Sequence, residues 1–363
     1  MKRFFYTSIF ILICFDMLII FYLISIQPKE NQKKIVPLQV NLKKSLEVDI
    51  TNKSINVSDI FKYQDPDFSG YNPNEIVLLA TGDVILARSV NSLMVSKNNF
   101  LYPFEKTANF LKNSDITFIN LESPLIPNCA TTVEGMVFCG SENAVAGLVF
   151  SGVDVVSIAN NHMADQGEDG INNTTNILMK NNIAVTGNGN PAILTAKGKK
   201  FGFLGYNDIS ERYDLLPKPD DILLQKDIYK LKQKVNYVIV AFHWGVEYTA
   251  SPSARQVELA HMAIDNGADL VIGNHPHWVQ GIEQYEGKLI TYAHGNFVFD
   301  QMWSPETREG VIGKYVFGNN GLKSVNFYPI IIENYAQPRF AQKEEAVKIL
   351  EKMKATSPIV KSP

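Results

Sequence analysis

Residues 272–281 of the chain read Ile272-Gly273-Asn274-His275-Pro276-His277-Trp278-Val279-Gln280-Gly281. They follow the apolar run 268–272, which has the composition of a buried parallel strand. Pro276 disfavours helical geometry at His275, so both imidazoles are predicted to lie in an extended loop at the carboxyl end of that strand. In α/β proteins this end of the sheet carries the functional site, and imidazole is a common metal ligand. The stretch predicts an α/β fold with a metal-binding loop; two surface histidines in a turn are the alternative.

From residue 75 onward, short apolar strands alternate with helical stretches, and this strand–loop–helix unit recurs six times. The alternation predicts one α/β domain with largely parallel strands over residues 75–335. A stretch rich in lysine and glutamate, residues 342–354, is expected to form a solvated helix within a polar tail over residues 336–363. The strands are expected at residues 76–80, 115–119, 153–159, 183–186, 192–194, 201–204, 237–242, 268–272 and 289–293.

Polar side chains follow these strands where each strand ends. Because carboxyl ends of parallel strands meet at one edge of a sheet, we expect these side chains to converge. Carboxylates, an asparagine oxygen and imidazoles form a mixed ligand set that suits Mn, Fe, Zn or Mg. The pattern predicts a site for one or two divalent ions, which could activate a water or hold a phosphoryl group. In chain order the strand ends carry Asp83, Asn120 with Glu122, Asn161 with His162, His243, His275 with His277, and His294 with Asn296.

The overall composition is that of an ordinary globular protein. The net charge of −3 gives no basic footprint for nucleic acid, so nucleic acid is not an expected partner. The chain is also long enough to bury a full core without a framework of disulfides.

Residues 4–26 form an apolar run with only four polar interruptions. At about 1.5 Å per residue, a helix of this length crosses the roughly 30 Å hydrocarbon core of a bilayer. The run lacks the small residues of a cleavage site at its end, which predicts an uncleaved signal anchor over residues 1–27. The short N-terminal flank favours a single-pass protein of the bacterial cell membrane with its globular domain outside the cytoplasm.

Asp16 lies near the middle of this apolar run. A carboxylate there costs about 2.5–3.5 kcal/mol on insertion scales, so it predicts a contact with a partner helix. The alternative is an anchor hydrophobic enough to tolerate it. Residues 28–74 are polar and rich in turn formers towards their end, which indicates a linker.

Cys129 and Cys139 bracket a short polar segment. In an oxidising compartment they are expected to form a structural disulfide that closes this loop. Two free thiols are expected instead if the domain is cytoplasmic.

The strand-end motifs resemble those of the poly-gamma-glutamate capsule synthesis protein family CapA, whose members are similar to calcineurin-like metallophosphoesterases. The similarity covers roughly residues 76–302 and keeps the order of the motifs. It implies a four-layer αββα sandwich of the metallophosphoesterase type, here preceded by one transmembrane helix. The matching stretches include Thr81-Gly82-Asp83, Asn120-Leu121-Glu122, Ala159-Asn160-Asn161-His162, His243-Trp244-Gly245-Val246-Glu247-Tyr248, His275-Pro276-His277 and Gly295-Asn296-Phe297-Val298-Phe299-Asp300-Gln301.

The resemblance also implies roles for single residues. His162 would protonate a leaving group or steady a transition-state oxygen. The chain departs from the phosphoesterase pattern in two places, because Ile85 stands where a histidine ligand is usual and Glu122 replaces a bridging aspartate. One-metal and two-metal sites therefore both stay open. The implied metal ligands are Asp83, Glu122, Asn161, His243, His275 and His277, and the candidate substrate contacts are Asn120, Arg255, His294 and Asn296.

These expectations describe a membrane-anchored protein with a metal site that acts in synthesis, export or anchoring of extracellular poly-gamma-glutamate or a similar polyanion. The reaction would be hydrolysis or transfer at a phosphoester or γ-amide bond. One alternative is a non-catalytic accessory subunit that binds the anionic polymer and docks on polyglutamate synthase or export subunits in the membrane. The other is a general metallophosphoesterase of the cell envelope.

Overall fold

Two β-sheets carry the fold in the computed structural model, which describes residues 57–67, 72–209 and 215–358. The strands are β1 (Ile76–Val84), β2 (Ile116–Leu121), β3 (Leu125–Ile126), β4 (Gly140–Ser141), β5 (Val155–Ser157), β6 (Ala184–Thr186), β7 (Ala192–Ala196), β8 (Lys199–Asn207), β9 (Tyr237–His243), β10 (Leu270–Asn274), β11 (Ile282–Tyr285), β12 (Lys288–Thr291), β13 (Asn296–Val298), β14 (Glu309–Gly318), β15 (Gly321–Glu333) and β16 (Gln337–Phe340).

The helices connect these strands. They are α1 (Val57–Ile60), α2 (Arg88–Ser96), α3 (Ala108–Leu111), α4 (Val145–Phe150), α5 (Gly167–Lys180), α6 (Asp221–Lys232), α7 (Ala254–Asp265), α8 (Pro305–Arg308) and α9 (Lys343–Ala355). Short 3-10 helices cover Tyr102–Phe104 and Glu142–Ala144.

The first sheet has the strand order β16-β15-β14-β1-β2-β5-β6, and β13 also pairs with β1. Strands β1, β2, β5, β6 and β13 run parallel, whereas β14, β15 and β16 form an antiparallel extension. The second sheet has the order β11-β12-β10-β9-β8-β7, with a parallel centre and antiparallel edges. The predicted parallel strands therefore form the centre of both sheets.

The central strands of both sheets are buried on both faces, and the two-residue period of a strand shows how the layers stack. On β1, Leu78 belongs to an apolar cluster between the sheets, whereas Leu79 faces the cluster under helices α2 to α5. On β9, Ile239 faces the same inter-sheet cluster and Val240 packs under α6 and α7. The layers are helix, sheet, sheet and helix, which is the αββα sandwich that the resemblance implies.

The fold continues past residue 335, where the sequence placed the end of the domain. Strand β16 pairs with β15, and α9 follows it. The helix expected over residues 342–354 is present, but one face of it is buried rather than solvated. That face joins the inter-sheet cluster through Ala346, Ile349, Leu350 and Met353.

The predicted signal anchor, with Asp16, and most of the linker lie outside the described residues. Among the residues that the structure does describe, no helix is both long and apolar enough to cross a membrane.

Candidate metal centre

The carboxyl ends of the two sheets meet at one place in the sandwich. In the first sheet, Asp83 on β1 is in register with Asn120 on β2 and with Asn296 on β13. In the second sheet, His243 at the end of β9 is in register with Asn274 at the end of β10. The loop after β10 carries the two histidines of the His275-Pro276-His277 stretch.

The backbone of this loop is strained. His275 is not helical, as predicted, but its φ of 99° lies in the left-handed half of the map instead of the extended region. His277 and Tyr248 also have positive φ, at 58° and 60°. Such conformations cost on the order of 1–3 kcal/mol each and persist only where surrounding contacts hold them. Here the Tyr248 N–H donates to the Pro276 carbonyl at 2.8 Å, and the His275 N–H donates to Asp83 Oδ2 at 3.2 Å.

Two groups of side chains are arranged to hold cations. The first consists of Glu122, His243 and His275, and the second consists of Asp83, Glu122 and His277. Within each group the three ligand atoms lie within 4.8 Å of one another, and all of these residues are buried. Glu122 belongs to both groups, so its carboxylate would be available to an ion held by either group.

No described residue donates a hydrogen bond to the Glu122 carboxylate. Oε1 lies 3.3 Å from Nε2 of His243 and 4.0 Å from Nε2 of His277, but neither oxygen of Glu122 has a hydrogen-bond partner among the described residues. A buried carboxylate without hydrogen bonds is costly unless a cation compensates it. The donor set therefore fits a divalent ion.

Amide side chains hold these ligands in place. Asn120 Nδ2 donates to Asp83 Oδ1 at 2.8 Å and lies 3.3 Å from Nδ1 of His243. Asn296 Oδ1 lies 2.9 Å from Nδ1 of His277, while its Nδ2 donates to the Thr307 carbonyl. Both amides are buried, so the structure places these two predicted substrate contacts behind the ligands, where they orient them.

Asn161 and His162 lie on the loop after β5. Asn161 Oδ1 is 2.8 Å from Nε2 of His243, which belongs to the first group. His162 belongs to neither group; its Nδ1 lies 2.8 Å from Asp165 Oδ2. His162 is close enough to His275 that its charge contributes to the lowered pKa of His275.

Two predicted substrate contacts are not part of this site. His294 is fully buried, with Nε2 2.8 Å from the Tyr315 hydroxyl. Arg255 on α7 pairs with Glu258 at 3.0 Å and with Asp208 at 3.6 Å. Arg255 is thus an exposed helix residue held in ion pairs, and His294 is a core residue.

The charges in the site are unequally distributed among the imidazoles. Burial alone would lower the pKa of His277, but the carboxylates of Glu122 and Asp83 raise it to about 9. Burial raises the pKa of Asp83, but its contacts with His277, the charge of His243 and the hydrogen bond from Asn120 together lower it by more, so the net shift is downward. Burial and the neighbouring histidines hold the pKa of His275 well below its usual value. His275 is therefore a neutral imidazole, ready to bind a cation, whereas His277 must lose a proton first.

Three residues beside His277 were not predicted as ligands or substrate contacts: Tyr248, Gln301 and Trp303. The Tyr248 ring lies 6.1 Å from the ring of His277, and Gln301 Nε2 donates to the Tyr248 hydroxyl at 3.0 Å. Trp303, 63 % exposed, packs edge-on against Tyr248 at 6.0 Å. Gln301 ends the Gly-Asn-Phe stretch that resembles CapA, and an exposed tryptophan so close to a motif could have signalled the rim.

Cys129 and Cys139 form a disulfide in the structure, with their Cα atoms 5.9 Å apart. The pair closes a loop before β4, on the side of the domain that carries His162.

Comparison with known proteins agrees with the motifs. Residues 77–301 match the family of the bacterial capsule synthesis protein PGA_cap. The capsule biosynthesis protein CapA of Bacillus anthracis is 30% identical over 282 residues, which cover 71% of this chain and 68% of that protein. The PGA biosynthesis protein CapA of Bacillus subtilis (strain 168) is 29% identical over 291 residues, or 75% of each chain.

A solved structure described as a novel phosphatase of Mycoplasma pneumoniae superposes on the chain with a TM-score of 0.47 and 15% identity. It covers 75% of this chain and 96% of the phosphatase. This likeness is too weak to bear on function.

Proposed function

The chain belongs to the bacterial capsule synthesis protein family PGA_cap, and we propose that it is a metal-dependent protein that acts in the synthesis, export or anchoring of an extracellular polyanion such as poly-gamma-glutamate. The names of the two Bacillus relatives support a role in making such a polymer. The site geometry supports the metal.

The main support for a metal site is the Glu122 carboxylate. It is buried, accepts no hydrogen bond from the described residues, and is shared by two groups of candidate ligands. Asp83 with His277 would complete one ion's ligand set, and His243 with His275 would complete the other. The oxygen and nitrogen donors suit Mn, Fe, Zn or Mg. A divalent ion bound there would act as a Lewis acid and lower the pKa of a bound water.

The pairing of His162 with Asp165 favours a reaction over passive binding of a polymer. Asp165 occupies Nδ1 of His162, so Nε2 is the atom that would hold or release a proton at a reacting group. A protein that only holds a chain of carboxylates through a cation needs no such proton donor. This chemistry fits a phosphoester or a γ-amide bond. The bond would be broken by hydrolysis or by transfer of its phosphoryl or acyl group to an acceptor.

The test is metal analysis of the full chain together with turnover assays on an aryl phosphate and on poly-gamma-glutamate. We expect two divalent ions per chain, and cleavage of one of the two substrates that falls by at least about 10²-fold in His162→Ala. His261→Ala is the matched control, because His261 lies on α7, where its Nε2 contacts Glu283. One tightly bound ion with no turnover of either substrate would overturn the enzymatic reading.

If the chain binds one ion and turns over neither substrate, a measurement of polymer binding tests the alternative of an accessory subunit. If His275→Ala abolishes binding of poly-gamma-glutamate without loss of fold, the chain is an accessory subunit that holds the polymer. The exposed indole of Trp303, which packs on Tyr248 beside His277, supplies the reporter, since a polymer chain bound next to it would change its fluorescence.

We also propose that the domain lies outside the cytoplasm, attached to the bacterial cell membrane by the apolar run of residues 4–26. The Cys129–Cys139 disulfide supports an oxidising compartment. Asp16 would contact a membrane subunit of the polymer synthase or exporter. Deletion of residues 1–27 should release the domain from the membrane fraction and abolish capsule formation, while metal binding is unchanged. If the deletion leaves capsule formation intact, the docking role of Asp16 is wrong.

A further inference from the structure

Phe138, the residue before Cys139, stacks on His162. The centroids of the two rings are 4.0 Å apart, and the rings are inclined by 21°. The phenyl ring is only 1% exposed. Because the neighbouring residue forms the disulfide with Cys129, the ring that covers His162 belongs to a covalently closed loop.

The backbone of Phe138 is tied to the same network. Its N–H donates to Asp165 Oδ2 at 2.7 Å, the oxygen that also lies 2.8 Å from Nδ1 of His162. Its carbonyl accepts a hydrogen bond from Gln166 Nε2 at 3.0 Å. The loop therefore fixes both the ring face of His162 and the carboxylate that orients the imidazole.

Arg88, the first residue of α2, also contacts the phenyl ring. Its guanidinium carbon lies 5.0 Å from the centroid of Phe138 and 4.9 Å from that of Phe299, and the guanidinium is paired with Asp300. Phe299 in turn lies 5.3 Å from the ring of His277. A continuous series of packed rings thus runs from the loop to a candidate metal ligand.

The rest of the loop has few contacts that could hold this arrangement without the disulfide. The apolar side chains of Val133, Met136 and Val137 are all more than half exposed. Ser92 Oγ donates to the Thr132 carbonyl at 2.9 Å, and Arg88 Nη1 donates to the Gly135 carbonyl at 3.4 Å. Covalent closure reduces the conformations available to such a loop.

We propose that Phe138, held by the Cys129–Cys139 disulfide, is a positioning residue for His162. The closed loop presses the phenyl ring against the imidazole and fixes Asp165 Oδ2, so that Nε2 of His162 keeps one orientation. The positioning stands on geometry alone; its effect on turnover rests on the proposed function.

The direct test is nuclear magnetic resonance of the full chain, isotopically labelled at histidine, with the resonances of His162 identified by their loss in His162→Gln. A stacked phenyl ring shifts the ring protons of His162 upfield, and Phe138→Leu should remove that shift while His261 and His294 keep theirs. Reduction of the wild-type disulfide with a phosphine should move or broaden the same resonances, and this needs no substitution that could prevent folding. Val133→Ala, on the exposed part of the loop, is the control and should leave the His162 resonances unchanged.

Unchanged His162 resonances in folded Phe138→Leu overturn the role of the ring, and unchanged resonances after reduction overturn the role of the disulfide. In the turnover assay we expect kcat to fall about tenfold in Phe138→Leu with KM unchanged, and Phe138→Tyr to restore it. If the wild type shows no turnover, the enzymatic part of the proposed function fails, but the resonance experiment still decides whether His162 is positioned in this way.

Discussion

Oε1 of Glu122 lies 3.3 Å from Nε2 of His243, yet the carboxylate accepts no hydrogen bond from any described residue. Nε2 of His243 is also 3.1 Å from Nδ1 of His275. Three ligand atoms therefore face one another with too few protons to pair them all, and a cation resolves this conflict. Since Glu122 also belongs to the second group, with Asp83 and His277, both candidate ion sites depend on it.

Glu122→Gln should therefore remove both ions, whereas single changes at the other ligands should remove one. We expect His275→Gln to lose the ion of the first group and Asp83→Asn the ion of the second, each with an affinity loss of at least about 10²-fold. Elemental analysis after dialysis, together with titration calorimetry, measures the stoichiometry. The control is Glu283→Gln on β11, where the wild-type carboxylate contacts His261 and Tyr292. This variant should bind as many ions as the wild type. Loss of the same single ion in all three site variants would show that only one ion binds.

The raised pKa of His277 should make metal binding strongly dependent on pH. In the metal-free protein His277 keeps its proton up to about pH 9, and a cation must displace this proton to bind. Below pH 9 we expect binding to release one proton from His277 and affinity to rise about tenfold per pH unit. Calorimetry in buffers of different ionisation enthalpy counts the protons.

The same raised pKa contributes stability to the metal-free protein. The contribution is fully present below the unfolded pKa of 6.5 and is lost as pH rises towards 9, a change of about 3 kcal/mol. Urea unfolding with a chelator should show the free energy of unfolding falling over this range. In Glu122→Gln the decline should be smaller and end at a lower pH, because the carboxylate that raises the pKa of His277 is gone. A free energy that rises with pH in this window would contradict the assignment.

The parallel centre of the fold could be predicted because its strands are apolar on both faces and end in polar residues. β1 and β10 are examples, with Asp83 and His275 directly at their ends. The hairpin of β14 and β15 was missed, although the two-residue connection between Gly318 and Gly321 is a turn signal. Polar residues such as Lys314 and Asn326 interrupt the apolar residues of these two strands. Their strand pattern is therefore harder to recognise in the sequence than the continuous apolar runs of the central strands.

The ligands of the site could be predicted from strand ends, but the supporting residues could not. Asn296 is one residue of a motif in the sequence, and only the register with Asp83 shows that it orients His277. His294 follows a strand as the ligands do, yet the backbone turns its side chain between the sheets towards Tyr315. The contact between Phe138 and His162 joins two loops 24 positions apart, and no local pattern reveals it.

The C-terminal helix α9 should be essential for stability, because its apolar face closes one end of the inter-sheet core. We expect Leu350→Ala to cost 2–5 kcal/mol, as is usual for a buried leucine. Lys348→Ala on the exposed face should change the free energy of unfolding by less than about 0.5 kcal/mol. Urea unfolding measures both. Equal stability of the two variants would mean that the helix is a solvated appendage.

Burial of His294 should make the domain lose stability as pH falls. Because burial lowers the pKa of His294 to about 4, the unfolded chain takes up its proton first, near pH 6.5, and the folded state follows only near pH 4. The resulting destabilisation is absent above about pH 6.5 and reaches about 3 kcal/mol near pH 4. In His294→Leu this component is missing, so the difference in free energy of unfolding between wild type and variant should change by that amount between pH 7 and pH 4. Tyr315→Phe removes the hydroxyl beside His294 but keeps the burial, and its difference from wild type should stay nearly constant with pH. A constant difference for His294→Leu would mean that His294 takes up its proton in the folded domain as easily as in the unfolded chain.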